Sequence, residues 1–315
     1  MPIIKAQDLA YTRLRAPDLD IAEEFLIHFG MLKVERTATA LYMRGTGPGH
    51  HIHITEKGEA SVSGFAFYAD NADDLERIAT APGASSVESI DEPGGGRRVC
   101  LTEPNGFRIE IVHGIATLPE IPIKTQVLNT AGEPNKRVGD LMRVHKGPAR
   151  VKRIGHAVIG TPKVRETVRW FQEMVGLLCS DEIYAGDPAN IIGSFNRCDR
   201  GTEYVDHHAL FCLEHDTAGF NHFAFEVQDV DDVFMGGEYL TQLNKFRRLW
   251  GVGRHLLGSQ VFDYWADPWS RGHEHWSDSD RLNALAAPGL YPVHEGLSSQ
   301  WGGSAPEAFI HNLSR

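Results

Sequence analysis

The chain has 315 residues, 42% of them hydrophobic and 23% charged, which is length enough for two domains with cores of their own. A formal charge of −11 argues against nucleic acid and anionic membranes as partners, and no apolar run approaches the roughly 18 residues of a membrane span. Cys100, Cys179, Cys198 and Cys212 show no C-x-x-C spacing and Lys5 and Asp8 interrupt the N-terminus, so a cytoplasmic protein with reduced thiols and no secretion signal is expected.

In chain order, LAYTRLRAPDLDIAEEFLIHFGMLKV from Leu9 reads as a strand, a Pro-Asp helix start, an amphipathic helix and a glycine stop. GFAFYADNADDLERI from Gly64 begins a second such passage. A segment rich in Pro, Thr and charge follows, and then IGHAVIGTPKVRETVRWFQEMVGLL from Ile154 repeats the first arrangement. HFAFEVQDVDDVFMG from His222 repeats the second. A third pair sets TEPNGFRIEIV from Thr102 against ADPWSRGHEHW from Ala266, with Pro104–Glu110 and Pro268–Glu274 equally spaced.

These repeats predict an α+β fold of four βαβββ units, beginning near Leu9, Gly64, Ile154 and Asn221 and paired into two barrel-like domains. The expected divisions are 1–115, a linker over 116–151, a catalytic pair over 152–283 and a tail over 284–315. The Pro- and Gly-rich tail is expected to wrap the surface of the second domain.

Aligning Pro17 with Pro162 sets Tyr11 opposite His156, and the Phe-Ala-Phe pair sets Gly64 opposite His222. Only Glu110 of the first half retains its counterpart, Glu274. The first half therefore reads as a copy without a metal site. In strands alternate side chains share a face, so His222, Ala224 and Glu226 should point into the cup while Phe223, Phe225 and Val227 pack on the helix. If Glu274 faces inward, His273 and His275 face away.

A lone strand histidine is more often a hydrogen-bonded structural residue than a ligand. Here three candidates occupy related positions of the repeats. Two histidines and a carboxylate, His156, His222 and Glu274, form the ligand set of mononuclear Fe(II) oxygen chemistry, which leaves positions open for substrate and dioxygen. The tract holding His50, His51 and His53 lies in the half without the other ligands and reads as structural or surface. Trp250, Trp265, Trp269 and Trp276 crowd the same region as Glu274, as cavity lining or as core.

The order His…His…Glu and the block H-x8-Y-x2-DP-x5-E over His255–Glu274 closely resemble the type I extradiol ring-cleaving dioxygenases of the vicinal-oxygen-chelate superfamily. The resemblance implies His156, His222 and Glu274 as ligands of Fe(II), with Mn(II) accepted by the same set. It also implies His208 as the acid-base residue, with His207 as the alternative, and His255 and Tyr264 as residues at the substrate oxygens. Substrates would be a substituted catechol or a trihydroxylated aromatic together with O2, and the protein a homo-oligomer. A weaker likeness is to enzymes that open 2,4,5-trihydroxytoluene. Asp263 before the tyrosine and Ser270 after the Asp-Pro turn depart from the pattern and bear on pocket shape. The competing readings are a glyoxalase-type isomerase or lyase and a metal-free small-molecule-binding protein of the same fold.

Overall fold

Asp18 opens the first helix by accepting hydrogen bonds from the backbone N–H groups of Asp20 and Ile21, and Gly30 closes it in the left-handed conformation. The same device, a capping residue directly after a strand, recurs at Asn71 and Asp229. The computed structural model describes residues 1–315. The first unit is β1 (Leu9–Ala16), α1 (Leu19–Phe29), β2 (Leu32–Arg36), β3 (Ala40–Arg44) and β4 (His53–Lys57). The second is β5 (Ser61–Tyr68), α2 (Ala72–Ile78), β6 (Glu88–Ser89), β7 (Arg97–Thr102) and β8 (Arg108–His113). The third comprises β9 (Val151–Thr161), α3 (Val164–Val175), β10 (Leu177–Tyr184), β11 (Ile191–Cys198), the short β12 (Val205–Asp206) and β13 (Leu210–Glu214). The fourth is β14 (Gly219–Val227), α4 (Val230–Leu243), β15 (Arg248–His255), β16 (Val261–Ala266) and β17 (Gly272–Ser277).

The remaining elements lie in the tail: β18 (Arg281–Leu282), β19 (Gly289–Pro292), α5 (Val293–Gly296), β20 (Ser299–Trp301) and α6 (Glu307–Ile310). The tail was expected to lie on the surface. Instead it is built into the second sheet, with β19 pairing parallel to β10 and β20 pairing antiparallel to β15. Backbone pairing satisfies two otherwise open sheet edges, which a loosely wrapped segment would leave exposed.

The first sheet runs β2-β3-β4-β1-β5-β8-β7-β6, and the second β19-β10-β11-β13-β9-β14-β17-β16-β15-β20. Without the tail strands and β12, the two orders coincide unit for unit. The registers coincide as well. Tyr11 lies opposite Ala66 as His156 lies opposite Ala224, and Ala66 pairs with Glu110 as Ala224 pairs with Glu274. Gly64 pairs with Arg108 where His222 pairs with Gly272. At Gly64 φ is +151°, and a Cβ would come within 1.7 Å of the Arg108 carbonyl oxygen, so no side chain fits there without moving the strand.

A single apolar core runs through both halves. Phe25 and Phe29 of α1 reach over to the second sheet, where Phe29 stacks on His275 with ring centroids 3.8 Å apart and meets Phe225 edge-on. His275 Nε2 donates to the Phe29 carbonyl at 2.6 Å. His273 packs between Phe25, Phe225 and His53, so the away-facing histidines are interface residues. His53 belongs to this contact too. His51 is buried against Tyr11 and Tyr42, so the first-half histidine tract is structural. The chain over residues 118–150 forms no helix or strand, and it ends where Arg150 pairs with the buried Asp232 of α4 at 2.7 Å.

Burial pushes both His273 and His275 down to about 4. An imidazole in the unfolded chain titrates near 6.5, so between these values the unfolded state binds about two more protons than the folded one. Stability should therefore fall as pH drops from about 6.5 to 4, with these two rings contributing about 3 kcal/mol per pH unit. Urea unfolding followed at about pH 7.5 and about pH 5 checks this, and His273→Phe should lower the pH slope by about 1.4 kcal/mol per unit. Equal midpoints at the two pH values would rule out the interface histidines as acid-labile contacts.

Candidate metal centre

β9, β14 and β17 lie side by side at the middle of the second sheet, and each sends one polar side chain into its concave face. His156 and His222 both point their Nε2 atoms at Glu274 Oε2, at 3.0 and 3.2 Å. All three residues are buried, and Glu274 is entirely so. Their ligand atoms lie within 4.8 Å of one another. Glu274 Oε1 and His222 Nε2 have no hydrogen-bond partner. Separations near 3 Å are those of donors about 2.1 Å from a shared cation and roughly at right angles. The donor set and its unpartnered atoms thus fit a divalent metal.

The electrostatics agree with that fit. Burial alone would raise the Glu274 carboxyl, but the His156 and His222 rings outweigh it and hold the group well below the ordinary carboxylate range. His222 is pushed down by burial despite the neighbouring carboxylate, so its neutral, ligating form is the favoured one. Its tautomer is fixed by Asn221. His222 Nδ1 donates to Asn221 Oδ1 at 2.7 Å, which leaves the Nε2 lone pair facing Glu274. Asn221 in turn donates to the Phe309 carbonyl at 2.9 Å, tying the tail to the ligand.

The other expected residues converge on the same place. The His208 ring lies tilted against His156, with ring centroids 4.2 Å apart, and lines the cavity, whereas His207 does not. His207 Nε2 lies 2.6 Å from Asp181 Oδ2, and its Nδ1 lies 3.1 Å from His208 Nδ1. A carboxylate only accepts, so His207 carries its proton on Nε2 and accepts at Nδ1 from His208. That assignment leaves His208 Nε2 as a bare lone pair. Burial, reinforced by His156 and His207, pushes His208 well below the ordinary range and favours the neutral ring.

His255, at the end of β15, is 2.8 Å from the Tyr264 hydroxyl and 4.0 Å from Glu274 Oε1. Burial pushes His255 down to about 4, and burial next to Glu274 raises the Tyr264 hydroxyl. Asp263, on the opposite face of the strand, never reaches the pocket. It is buried, pushed up to about 6 by burial, and bonded to Arg248 and to Trp265 Nε1. Ser270 takes up a positive φ of 69° in the turn. Of the four tryptophans, only Trp250 lines the cavity, and Trp265 and Trp276 are core.

The cavity holds about 430 Å³, and nearly half of its wall comes from the tail, including His294, Leu297, Ser299 and Phe309. That contribution and the Asn221 bond were not foreseen. Asn221 directly precedes a ligand histidine, a placement that marks a residue able to fix its tautomer. Nothing in the tail's composition signals a cavity wall.

The first half shows what the equivalent position looks like without a cavity. The Tyr11 hydroxyl donates to Glu110 Oε2 at 2.5 Å, and Arg13 and Arg108 bridge Glu110 Oε1 at 3.0 and 2.7 Å. Glu110 is thereby neutralised by fixed cations and a hydroxyl.

A fold of paired βαβββ units with one buried ligand set in its second half defines a metal-dependent enzyme of the vicinal-oxygen-chelate fold. No family model matches the chain. The chain is 28% identical to metapyrocatechase 2 of Cupriavidus necator over 306 residues, covering 95% of this chain and 90% of that protein. Among solved structures it superimposes on the Mn(II)-bound glyoxalase of Novosphingobium aromaticivorans with a TM-score of 0.80 at 22% identity, covering 99% of this chain and 96% of that one. It also superimposes on homoprotocatechuate 2,3-dioxygenase of Brevibacterium fuscum with a TM-score of 0.79 at 16% identity, covering 100% and 95%. The two structures share the fold about equally. In sequence the chain is thus similar to an extradiol ring-cleaving dioxygenase over nearly its whole length, and it has the fold of the solved structures named.

Partners that orient a ligating histidine typically contribute about 10- to 100-fold in metal affinity. Asn221→Ala should weaken metal binding by about that factor, and Asn221→Asp, which keeps the acceptor, by much less. Glu274→Gln should abolish stoichiometric metal. Competition against a chelator measures all three, and an Asn221→Ala affinity equal to the wild type would remove Asn221 from the centre.

Proposed function

We propose that this enzyme binds Fe(II) through His156, His222 and Glu274 and cleaves the ring of a substituted catechol or trihydroxylated aromatic beside its diol. Both atoms of O2 enter the ring-opened product. The observation that carries the reading is the convergence of His208, His255 and Tyr264 on one side of a three-ligand centre, at the floor of a cavity sized for a substituted ring.

Bound Fe(II) supplies a Lewis acid that lowers the diol pKa and leaves positions where diol and dioxygen meet. The protein's own groups do the rest. His208 Nε2, deprotonated through the Asp181–His207 chain, takes a proton from the substrate side and returns it later. The His255–Tyr264 pair presents a hydroxyl and an imidazole to the diol oxygens and fixes the ring's orientation. The apolar walls, with Phe195, Phe211 and Phe309 among them, exclude water from the reacting centre.

A glyoxalase-type reaction is disfavoured because no further carboxylate faces the centre. Glu110 lies in the other half, bonded to the Tyr11 hydroxyl and ion-paired with Arg13 and Arg108. A metal-free binding protein would have no use for a buried carboxylate between two imidazoles.

Anaerobically prepared protein loaded with Fe(II) or with Mn(II) should be given a panel of catechols and trihydroxybenzenes. The expected result is one O2 consumed per ring and a yellow ring-opened product, with the Fe(II) form faster. His208→Phe should keep its metal but lose about 10²- to 10⁴-fold in kcat. Full metal loading with no oxygen uptake on any diol would transfer the reading to an isomerase or lyase, and faster turnover with Mn(II) would correct the metal.

A further inference from the structure

One wall of the cavity is hydrocarbon drawn from three adjacent strands. Phe195 of β11 pairs with Phe211 of β13, and Phe211 pairs with Val158 of β9, so the three form a row across the sheet. The two phenyl rings stack with centroids 3.9 Å apart and planes within 6° of parallel, a packed surface that exists before anything binds. Leu213 and Leu257 extend the row, and Leu297 joins it from the tail. Phe195, Phe211 and Leu257 each keep 7 or 8% of their surface exposed while lining the cavity, so a bound molecule can touch them directly.

The row stands beside the residues of the centre. Val158 lies two residues beyond His156 on β9, roughly 7 Å along the same face. Phe195 meets His208 edge-on, with ring centroids 4.9 Å apart. There is room beyond a single ring. A cavity of about 150 Å³ accepts benzene, and this one holds about 430 Å³. No lysine, arginine, aspartate or glutamate lines it. His294 is the one lining imidazole away from the centre, and its side chain is 77% exposed to solvent. The hydroxyl groups of Ser298, Ser299 and Ser304 belong to the tail side. A carboxylate carried in on the substrate would be buried against the row without a counter-ion.

We propose that the row of Val158, Phe195, Phe211 and Leu213 is the specificity-determining wall of the cavity. It selects a catechol bearing a large, uncharged, apolar substituent, an aryl ring or an alkyl chain, and rejects rings that carry a carboxylate. The proposal rests on the ring-cleaving reading for the placement of the diol, and it deepens that reading by naming the substrate class.

The test uses catechols carrying a methyl, ethyl, butyl, phenyl or carboxymethyl group, next to the diol or one position further. Wild type, Leu213→Arg and Leu297→Arg are loaded with metal and checked for metal content and circular dichroism. Both leucines are half-buried, so either arginine can be accommodated at the wall. Anaerobic calorimetry reads affinity without turnover, and oxygen uptake is measured separately. Wild type should gain roughly 3- to 4-fold in affinity per added CH2 from methyl to butyl. Phenyl should bind at least as tightly as butyl, and carboxymethyl should bind worst, about 10-fold or more below methyl. Either arginine variant should improve carboxymethyl relative to butyl by about 10- to 100-fold. A flat alkyl series, a carboxymethyl ring bound by wild type as tightly as ethyl, or no improvement in either variant would overturn the proposal. If the affinities follow the expected order while no ring consumes oxygen, the wall stands as the selector and the ring-cleaving reading falls. Oxygen uptake on every ring with no order among the affinities would do the reverse.

Discussion

A fully buried carboxylate sets the terms for this protein. Glu274 lies beneath three strands with one oxygen between two imidazoles and the other unpartnered. Burying such a charge costs several kcal/mol unless opposite charge compensates it. A divalent cation held by all three groups would supply that charge. The parallel register that sets Glu274 beside Ala224, and the antiparallel register that sets His156 opposite the same alanine, are what bring the ligand atoms to one point. The small Ala224 between them leaves the space they need. Slipping the β14–β17 pairing by one residue would turn His273 or His275 inward and carry Glu274 to the aromatic interface, and slipping β9 on β14 would replace His156 by Gly155 or Ala157.

The same constraint explains the asymmetry of the two halves. Glu110 occupies the equivalent buried position, and there the compensation comes from Tyr11, Arg13 and Arg108. These partners are covalent parts of the chain, so the first half is satisfied permanently and needs no open coordination position. Gly64, where the second half has a histidine, closes off a return to metal binding because its backbone conformation and the adjacent Arg108 carbonyl leave no room for a side chain. The first half instead supplies Phe25 and Phe29, which lock α1 over the strands behind the metal ligands. One half thereby braces the back of the sheet whose front carries the chemistry.

The repeat made the unit order and the clustering of His156, His222 and Glu274 legible in the sequence. Each of these depends on local periodicity and on positions that correspond between halves, such as the paired Phe-Ala-Phe runs and the equal Pro-to-Glu spacing. Glu226, expected in the cup with His222, instead pairs with Arg153 outside the cavity, past register shifts in β14. The choice between His207 and His208 was not legible, because adjacent residues share every sequence cue. Only the geometry separates the one that reaches Asp181 from the one that reaches the cavity. The strand pairing of the tail is not legible for a related reason. Its Gly, Pro and Ser content reads as a surface wrap, yet β19 and β20 are fixed by pairing with strands about a hundred and about forty-five residues away, respectively, which no local pattern reports.

That tail does more than close the cavity. Phe309 packs against Tyr264 with ring centroids 4.6 Å apart, while its carbonyl receives the Asn221 amide that orients His222. A single residue of a short helix thus contacts both Tyr264 and, through Asn221, His222. The segment that shapes the substrate side of the cavity is therefore also part of what holds the metal side in place. Changes in tail packing should reach the ligand geometry by this route, because a hydrogen bond that fixes a tautomer transmits position as well as energy. The substrate wall and the metal centre are in this sense one structure, assembled from elements that the chain supplies far apart.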